Sequence, residues 1–494
     1  MSGIPSIVGT SLGGVLAAAL LAGLGYFYIR DSTQKKHAIL RNYPIVGHLR
    51  YFFENLGEYF RQYFFLNDRE EMPFNRATRA WVYRLAKNEG SNIGFGSTYR
   101  LQEPGALIFV NAAFPILEEE RAPTPPLIIG EGFCEKPFTA RSVLNVSGMS
   151  FGAISKPAVQ ALSRGAELAG CWMDTGEGGM SPYHLEGGCD LIMQIGTAKY
   201  GLRDELGKLS PERLRTLAAH DNVRAFEVKL SQGAKPGKGG VLLAAKVTAE
   251  IAAIRGIPAG HDSLSPNRHY DIANMNELLD FVERVRNLTG KPVGIKTAIG
   301  GWHFSHELCD AVLRRGLTSA PDFLVIDGGE GGTGAAPQAL ADHMALSIDE
   351  ALPRVADALY ASGLKQRVRL VASGKLVTSA RVAWALACGA DFVNSARGFM
   401  FALGCIQSLR CHNNTCPTGI TTHDPRLQRG LVVEEKYLRV ANYCKALNAE
   451  VDMLAHSCGL HHAREFRREH VRIVQPNGRT EALSTIYPYP QTTR

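Results

Sequence analysis

The sequence predicts an α/β protein with a parallel sheet, preceded by a helix that crosses a membrane. From about residue 140, short β-branched apolar runs alternate with helical stretches over roughly 250 residues. Glycine and polar residues follow many of these runs, and residues 7–29 are uncharged and largely apolar. Alternation of this kind favours a parallel sheet that is either open or closed as a (β/α)8 barrel.

Residues 7–29 predict a single transmembrane anchor, assigned to residues 1–37 with its basic flank. A helix of 23 residues extends about 35 Å, which spans the hydrocarbon core of a bilayer. Arg30, Lys35, Lys36 and Arg41 follow the span, whereas no charged side chain precedes it. The positive-inside bias therefore predicts the inner (cytoplasmic) membrane, with the catalytic body in the cytoplasm. A cleavable signal peptide is the alternative, but it requires a basic n-region and a shorter apolar core.

Residues 38–125 are predicted to form an arm and connector. The arm is rich in aromatic residues, with Arg50 and Arg61 among them. It is expected either to lie as a helix on the membrane face or to pack against the catalytic body. The proline-rich stretch 123–126 marks the entry to the main domain, residues 126–445, and residues 446–494 are predicted to form a helical tail.

The main domain contains a series of predicted strands and helices. Its only GxGxxG match, residues 329–334, lies far along the chain and gives weak support to an open dinucleotide-binding sheet. Helices are predicted at 156–169, 277–287 and 379–388. Strands are predicted at 143–147, 226–231, 292–297, 323–327, 368–372 and 392–396.

Size and composition limit the classes of function. The 494 residues are 45% hydrophobic and 20% charged, as in a globular protein with a sizeable core. The net charge of +7 is not concentrated in a basic stripe, which argues against nucleic-acid binding. The ten cysteines lack a regular pairing pattern, so a reducing compartment is favoured over a secreted disulfide scaffold.

Two predicted strands carry lysines near the expected mouth of the sheet. Apolar and polar residues alternate in both strands, so Lys229 and Lys296 are expected to point inward. A buried ammonium group is costly unless it meets an anion or an electron-rich ring. Ion pairs with Glu227 or Asp327 are the alternative interpretation.

Glycine-rich segments at 150–155, 175–179, 232–237, 327–334 and 373–375 indicate a site for an anion or a flat ring. In barrels, the loops after strands seven and eight commonly hold a phosphate, and Gly374 and Gly398 follow the last two predicted strands. This arrangement favours flavin mononucleotide (FMN). The residues predicted to bind it are Ser147, Met149, Ser150, Lys229, Gln232, Lys296, Gly328, Gly329, Gly331, Gly332, Thr333, Gly334, Ser373, Gly374, Ala396, Arg397 and Gly398.

Cys405, Cys411 and Cys416 lie within twelve residues near the end of the main domain. Three thiolates can hold an iron–sulfur cluster, because soft sulfur ligands select such centres. His412 could instead complete a zinc site, and three buried structural cysteines are the third interpretation.

Between about residue 140 and residue 445, the chain contains the following motifs in this order: MSFGAIS, TGEGG, QGAKPG, GGTGA, SGKL and the cysteine run ending in CPTG. In these motifs the chain resembles the FMN-binding synthase domain of glutamate synthase, and it is most similar to short, stand-alone members of that family. The resemblance implies a (β/α)8 barrel that binds FMN, with 2-oxoglutarate at the flavin. It also implies a [3Fe-4S] cluster held by Cys405, Cys411 and Cys416.

The resemblance implies an oxidoreductase acting on CH–NH2 donors. Electrons from a separate donor (ferredoxin, a reductase or a quinone) would pass through the cluster and FMN to the imine of 2-oxoglutarate and ammonia, yielding glutamate. Lys235 is expected to bind a substrate carboxylate. Glu177 is expected to transfer a proton or bind ammonium, or else to brace its loop. Lys229 or Lys296 would stabilise the negative charge of reduced flavin, and a homo-oligomer is left open.

The chain also departs from the family pattern. After residues 175–179 the family has an acid and an arginine, whereas this chain has Met-Ser-Pro-Tyr-His at 180–184. Another amine, such as methylamine, or another oxo acid is therefore an alternative substrate. A membrane-tethered electron-transfer subunit is the alternative outside catalysis. Counterparts of the amidotransferase and β-helical domains of the full-length enzyme are not expected.

Overall fold

The computed structural model describes residues 7–491, with side-chain surroundings from Gly13 onward. Residues 1–6 of the predicted anchor segment and residues 492–494 of the predicted tail lie outside the described residues. The chain divides into two compact units, one ending at Thr78 and the other beginning at Arg79.

The first unit is helical. Helix α1 spans Ile7–Thr33, α2 spans Ala38–Asn42, and α3 spans Gly47–Phe60 with a π-helical turn at Arg61–Phe65. Among the described residues, one helix is long and apolar enough to cross a membrane, over Gly13–Thr33. A further helix, Arg76–Ala86, leads into the second unit.

The second unit is built on a closed barrel of eight parallel strands, which confirms the predicted barrel. Each strand pairs with its neighbour in the chain, and the last pairs with the first. The strands β1–β8 are Leu144–Val146, Met173–Asp174, Leu191–Ile195, Val223–Lys229, Val293–Thr297, Phe323–Asp327, Arg369–Ser373 and Phe392–Ser395.

Helices connect the strands around the outside of the barrel. The predicted helix 156–169 is confirmed as Lys156–Ala169; the Ser155 side chain caps its first turn, and Gly170 ends it in the left-handed conformation. The other helices are Pro182–Glu186, Pro211–Ala218, Ala249–Arg255, Met275–Thr289, His303–Arg315, Gln338–His343, Ile348–Ala361, Ser379–Ala387, Arg397–Leu403, Pro425–Gln428 and Val433–Ser457.

An apolar core closes the end of the barrel where the strands begin. Trp172 stacks edge-to-face on Phe392 and Phe138, with ring centroids 4.9 and 6.0 Å apart. Phe138 belongs to a hairpin, Leu127–Ile129 paired with Phe138–Ala140, that packs into this core. Because this end is filled by apolar side chains, a ligand site is expected at the opposite end, where the strands finish.

Two segments outside the barrel pattern are also ordered into small sheets. The connection between β4 and β5 contains a hairpin of Val241–Leu242 with Ser263–Leu264. The tail is not purely helical as predicted, because Val471–Val474 pairs with both Leu107–Phe109 and Thr480–Ala482, and only a short helix, Leu483–Ile486, follows.

Candidate functional site

A cavity lies at the end of the barrel where the strands finish. It holds about 1210 Å³ of empty space including its open mouth, and its wall combines apolar and polar residues. A concave site that combines apolar residues with a few polar groups is usual for cofactors and small substrates. The predicted site residues that line it are Met149, Ser150, Glu177, Lys229, Gln232, Lys235, Gly332, Thr333, Gly334, Ala396, Arg397 and Cys411.

The wall of the cavity is strongly cationic. Lys229, Lys235, Lys246, Arg255 and Arg397 all line it, and Glu177 is the one carboxylate among the lining residues. A surplus of positive charge in a partly enclosed cavity favours anionic ligands, because the low dielectric strengthens the attraction.

Glu177 and Lys229 meet across the cavity floor. Lys229 Nζ donates to Gln232 Oε1 at 2.6 Å and to Glu177 Oε2 at 3.4 Å. Burial alone would raise the pKa of Glu177, but the charges of Lys229, Lys235 and Arg255 lower this pKa below the ordinary value of 4.5. The carboxylate is therefore ionised at neutral pH and suited to accept a proton or bind a cation.

Lys235 has a different environment from Lys229. Its side chain is buried, and no residue in the described part of the chain accepts a hydrogen bond from its Nζ. Burial lowers its pKa, an effect that Glu177 partly offsets. An ammonium group held in this way needs an anionic partner, and the cavity is the place from which one can come.

Arg255 forms another part of the same wall. Its two terminal nitrogens donate to Ser263 Oγ at 3.0 Å and to the Phe151 carbonyl at 3.2 Å. Its Nε is buried without a hydrogen-bond partner among the described residues. The guanidinium also lies over the Tyr200 ring, 5.1 Å from the centroid. The arginine is thus held in place with one donor left free.

Beneath the cavity, buried charges fill the centre of the barrel. Lys296 is the register partner of Lys229 and points inward as predicted; it is buried, and its Nζ has no hydrogen-bond acceptor among the described residues. Burial alone would lower the pKa of Lys296, but the nearby carboxylates of Glu227, Asp327 and Asp174 raise it. The alternative interpretation, an ion pair of either lysine with Glu227 or Asp327, is wrong for the described residues, because Lys229 pairs with Glu177 and Lys296 forms no ion pair.

Glu227 lies beside a second buried acid, Asp174. Burial, together with the charge of Asp174, raises the pKa of Glu227 to about 8. Gln194 Nε2 donates to Glu227 Oε1 at 2.7 Å and to Asp174 Oδ2 at 3.3 Å, which connects the two carboxyl groups. Sharing a buried site, the two acids cannot both ionise at low cost.

We expect this acid to make stability depend on pH. Because its folded pKa of about 8 exceeds the ordinary value of 4.5, the folded state binds the proton more tightly, and the free energy of unfolding falls as pH rises through this window. The slope is at most about 1.4 kcal/mol per pH unit. Glu227→Gln mimics the protonated acid. Its melting temperature, measured by differential scanning calorimetry, should therefore change less between pH 5 and pH 8 than that of the wild type. Parallel curves for the two proteins would contradict the assignment.

The remaining predicted FMN residues lie behind the cavity wall. Ser373 Oγ donates to Asp327 Oδ1 at 2.8 Å, and the Gly328 N–H donates to the Ser373 carbonyl at 2.9 Å. Gly374 has φ 127°, and a Cβ there would lie 3.1 Å from the Gly328 nitrogen, so this turn requires glycine. The predicted residues that do not line the cavity are Ser147, Lys296, Gly328, Gly329, Gly331, Ser373, Gly374, Gly398, Cys405 and Cys416.

The cysteine loop adjoins the cavity. Cys411 lines the wall, Cys416 is buried and Cys405 is partly buried. The loop is held to its surroundings by Tyr83, whose hydroxyl donates to the Cys405 carbonyl at 2.5 Å, and by Lys246, whose Nζ donates to the Cys411 carbonyl at 3.2 Å.

The spacing of these thiols bears on the kind of metal site. Within residues 7–491, no three His, Cys, Asp or Glu side chains stand close enough to hold one metal ion, so the geometry does not support the zinc alternative with His412. A three-iron cluster makes a different demand, because each thiolate binds a different iron atom.

Several lining residues were missed by sequence reasoning. Gln194 is the lone polar residue in the apolar run of β3. Its position inside a buried strand could have indicated a site residue. Arg255 and Lys246 belong to the connection between β4 and β5. The sequence around them does not distinguish them from charged residues on the surface. Thr421, whose Oγ is buried without a hydrogen-bond partner among the described residues, gave no signal either.

Comparisons with known proteins identify the family of the chain. A conserved region in glutamate synthase matches residues 100–461. The glutamate synthase large subunit-like protein YerD of Bacillus subtilis (strain 168) is 42% identical over 496 residues, covering 93% of this chain and 94% of the relative. The archaeal glutamate synthase [NADPH] of Methanocaldococcus jannaschii is 36% identical over 331 residues, and the match covers 66% of this chain and 61% of that protein.

Among solved structures, mandelate oxidase with (S)-4-hydroxymandelic acid is similar at a TM-score of 0.46 and 16% identity, covering 80% of this chain and 91% of that chain. The barrel assignment rests on the strand order described above and does not depend on this likeness. Because the conserved region extends across the whole barrel and one relative matches over nearly the full length of both chains, the chain belongs to the glutamate synthase family.

Proposed function

We propose that this chain is a flavin-dependent oxidoreductase that reduces the imine of 2-oxoglutarate and ammonia to glutamate. The observation that carries the proposal is the cationic cavity, in which Lys235 is buried without a hydrogen-bond acceptor and Glu177 is ionised beside it. Membership of the glutamate synthase family supports the same reaction, since relatives are named glutamate synthase [NADPH].

The residues around the cavity fit FMN. The phosphate would be bound by Arg397 at the end of β8, and the ring would lie against residues 332–334. The predicted phosphate-binding residues Gly374 and Gly398 do not line the cavity. Lys296 does not line the cavity, so Lys229, which does, is the predicted lysine that would offset the negative charge of a reduced ring. When bound, FMN supplies the hydride that the substrate accepts.

The chain's own residues bind and orient the substrate. Lys235 would engage a carboxylate of the oxo acid, and the charge of Arg255, which also lines the cavity, would attract the same anion. Glu177 would bind the ammonium ion and take its proton, because the amine must be neutral to attack the carbonyl. Lys229 bonds to Glu177 and Gln232 and would position both.

The cysteine loop would hold a [3Fe-4S] cluster through Cys405, Cys411 and Cys416, and this cluster would supply single electrons at the edge of the cavity. A ferredoxin, a separate reductase or a membrane quinone would be the donor. Helix α1 would anchor the protein in the inner membrane as a single span, with the barrel in the cytoplasm, because the basic residues follow the span.

A second substrate is favoured by one feature of the cavity. Val241, Leu242 and Leu243 form an apolar stretch of the wall, which suits an alkyl group on the amine. The absence of the family's acid and arginine at residues 180–184 points the same way. An N-alkylglutamate would then be formed from methylamine or a similar amine by the same chemistry.

Turnover with a chemical reductant and 2-oxoglutarate tests these proposals, with ammonium or methylammonium as the amine. Lys235→Met should raise the KM for 2-oxoglutarate by at least about tenfold, because a charged hydrogen bond in a buried site is worth roughly 1.5–3 kcal/mol. Lys238→Met, an exposed neighbour outside the main cavity, is the matched control. Glutamate as the product supports the leading proposal and an alkylated product supports the second. Flavin reduction with neither product would identify an electron-transfer subunit.

A further inference from the structure

The first unit carries an exposed aromatic face on α3 and the π-helical turn that follows it. We define this aromatic face as Phe52, Phe53, Phe60, Phe64 and Phe65, whose side chains are 40–75% exposed. Large apolar side chains that are exposed side by side on a protein surface often mark an interaction site.

The helix bearing this face is amphipathic. Leu49, Phe52, Phe53, Leu56 and Phe60 follow the i, i+3, i+4, i+7, i+11 spacing that places residues on one side of an α-helix.

The opposite side of α3 is polar. It carries Glu58 and the pair of Arg50 with Glu54, whose charged atoms are 3.8 Å apart. Charged residues along one side make α3 unsuitable for crossing a bilayer and suitable for lying along its surface.

The start of α3 is held beside the end of the candidate span. Asp31, two residues before the end of α1, accepts hydrogen bonds from the Ile45 N–H at 2.9 Å and from His48 Nε2 at 2.8 Å. The His48 ring also meets the Phe27 ring edge-on, with centroids 5.9 Å apart. The aromatic face therefore begins at the level at which α1 would leave the hydrocarbon core.

We infer that the aromatic face of α3 lies in the interface of the bilayer that α1 enters, among the lipid headgroups and the first acyl carbons. This inference rests on the proposed membrane anchor. Aromatic rings are favoured at this depth, and burial of the face removes apolar surface from water. Arg50 and Arg61 are offset by Glu54 and Glu58, so the attachment depends on apolar contact more than on lipid charge.

Tryptophan quenching by brominated phosphatidylcholine tests the inference on the full chain in nanodiscs. Phe53→Trp and Phe64→Trp report on the aromatic face, Glu58→Trp is the control on the polar side of α3, and Leu21→Trp reports on the span. The four native tryptophans are accounted for by subtracting the wild-type signal. Lipid brominated near the headgroup should quench the two aromatic-face probes about twofold more strongly than the control, with little effect of salt.

The outcomes separate this inference from the anchor on which it rests. If deeply brominated lipid quenches Leu21→Trp while Phe53→Trp and Phe64→Trp behave like Glu58→Trp, the surface attachment is wrong and the anchor stands. If Leu21→Trp is not quenched, the anchor itself is wrong. Protection of the aromatic-face probes from all brominated lipids, together with a dimer mass, would assign the face to a second copy of the chain instead. An unchanged flavin content in every variant verifies that the barrel is intact.

Discussion

Replacing Cys416 with serine is expected to remove the iron from the purified protein while leaving the flavin in place. Cys416 is buried, and its Sγ lies 3.4 Å from Thr418 Oγ. Serine preserves the size of the side chain, but its oxygen is a hard ligand in a site that selects soft sulfur. Electron entry from a one-electron donor should fall by more than about tenfold, since even residues behind the ligands typically contribute that much to a metal centre.

Iron and flavin analysis, the visible spectrum and stopped-flow reduction of the flavin measure this effect. Cys458→Ser is the control, because Cys458 is a partly buried free thiol that follows the long helix Val433–Ser457 and does not belong to the cysteine loop. Full iron content in Cys416→Ser would contradict the cluster. Loss of iron and flavin together, with a lower melting temperature, would indicate a structural thiol instead.

Glu177→Gln is expected to lower turnover by roughly 10²–10⁴-fold, the usual contribution of a positioned proton acceptor. The three cations that lower the pKa of Glu177 keep it ionised throughout the neutral range, so glutamine removes both a charge and a proton acceptor. The dissociation constant for 2-oxoglutarate should stay the same or decrease, because the cavity becomes more positive. A fall in kcat without weaker oxo-acid binding would therefore identify a role in the chemistry.

Equilibrium binding and steady-state kinetics with varied ammonium separate the roles of Glu177. Glu186→Gln serves as the control, because Glu186 lies nearby on Pro182–Glu186 but pairs at the surface with Arg164 and Gln160. Turnover within about threefold of the wild type, combined with a lower melting temperature, would mean that Glu177 only braces its loop.

The agreement between prediction and structure depends on how local each signal is. Six barrel strands were found from their β-branched runs, because each run is long enough for its pattern to be read. Met173–Asp174 was missed because two residues cannot display a period. Leu191–Ile195 was missed because a continuous apolar run does not distinguish a buried strand from a helical segment.

For the candidate site too, only the side chains that belong to a local sequence pattern could be predicted. Glu177, Lys229, Gln232 and Lys235 were predicted from motifs and strand ends, and all four line one cavity. Arg255 was not predicted, because it reaches the cavity from the connection between β4 and β5. Nothing in the residues around Arg255 indicates that the connection folds back over the mouth of the barrel.

The class of fold and the family follow from the amino-acid sequence alone, because strand patterns and ordered motifs are properties of short runs of residues. Which charges act on one another depends on the tertiary structure. The ionised state of Glu177, the raised pKa of Glu227 and the unpaired ammonium of Lys235 follow from burial and from distances between distant parts of the chain. Electrostatic energy depends on separation and on the surrounding dielectric, and closure of the barrel sets both.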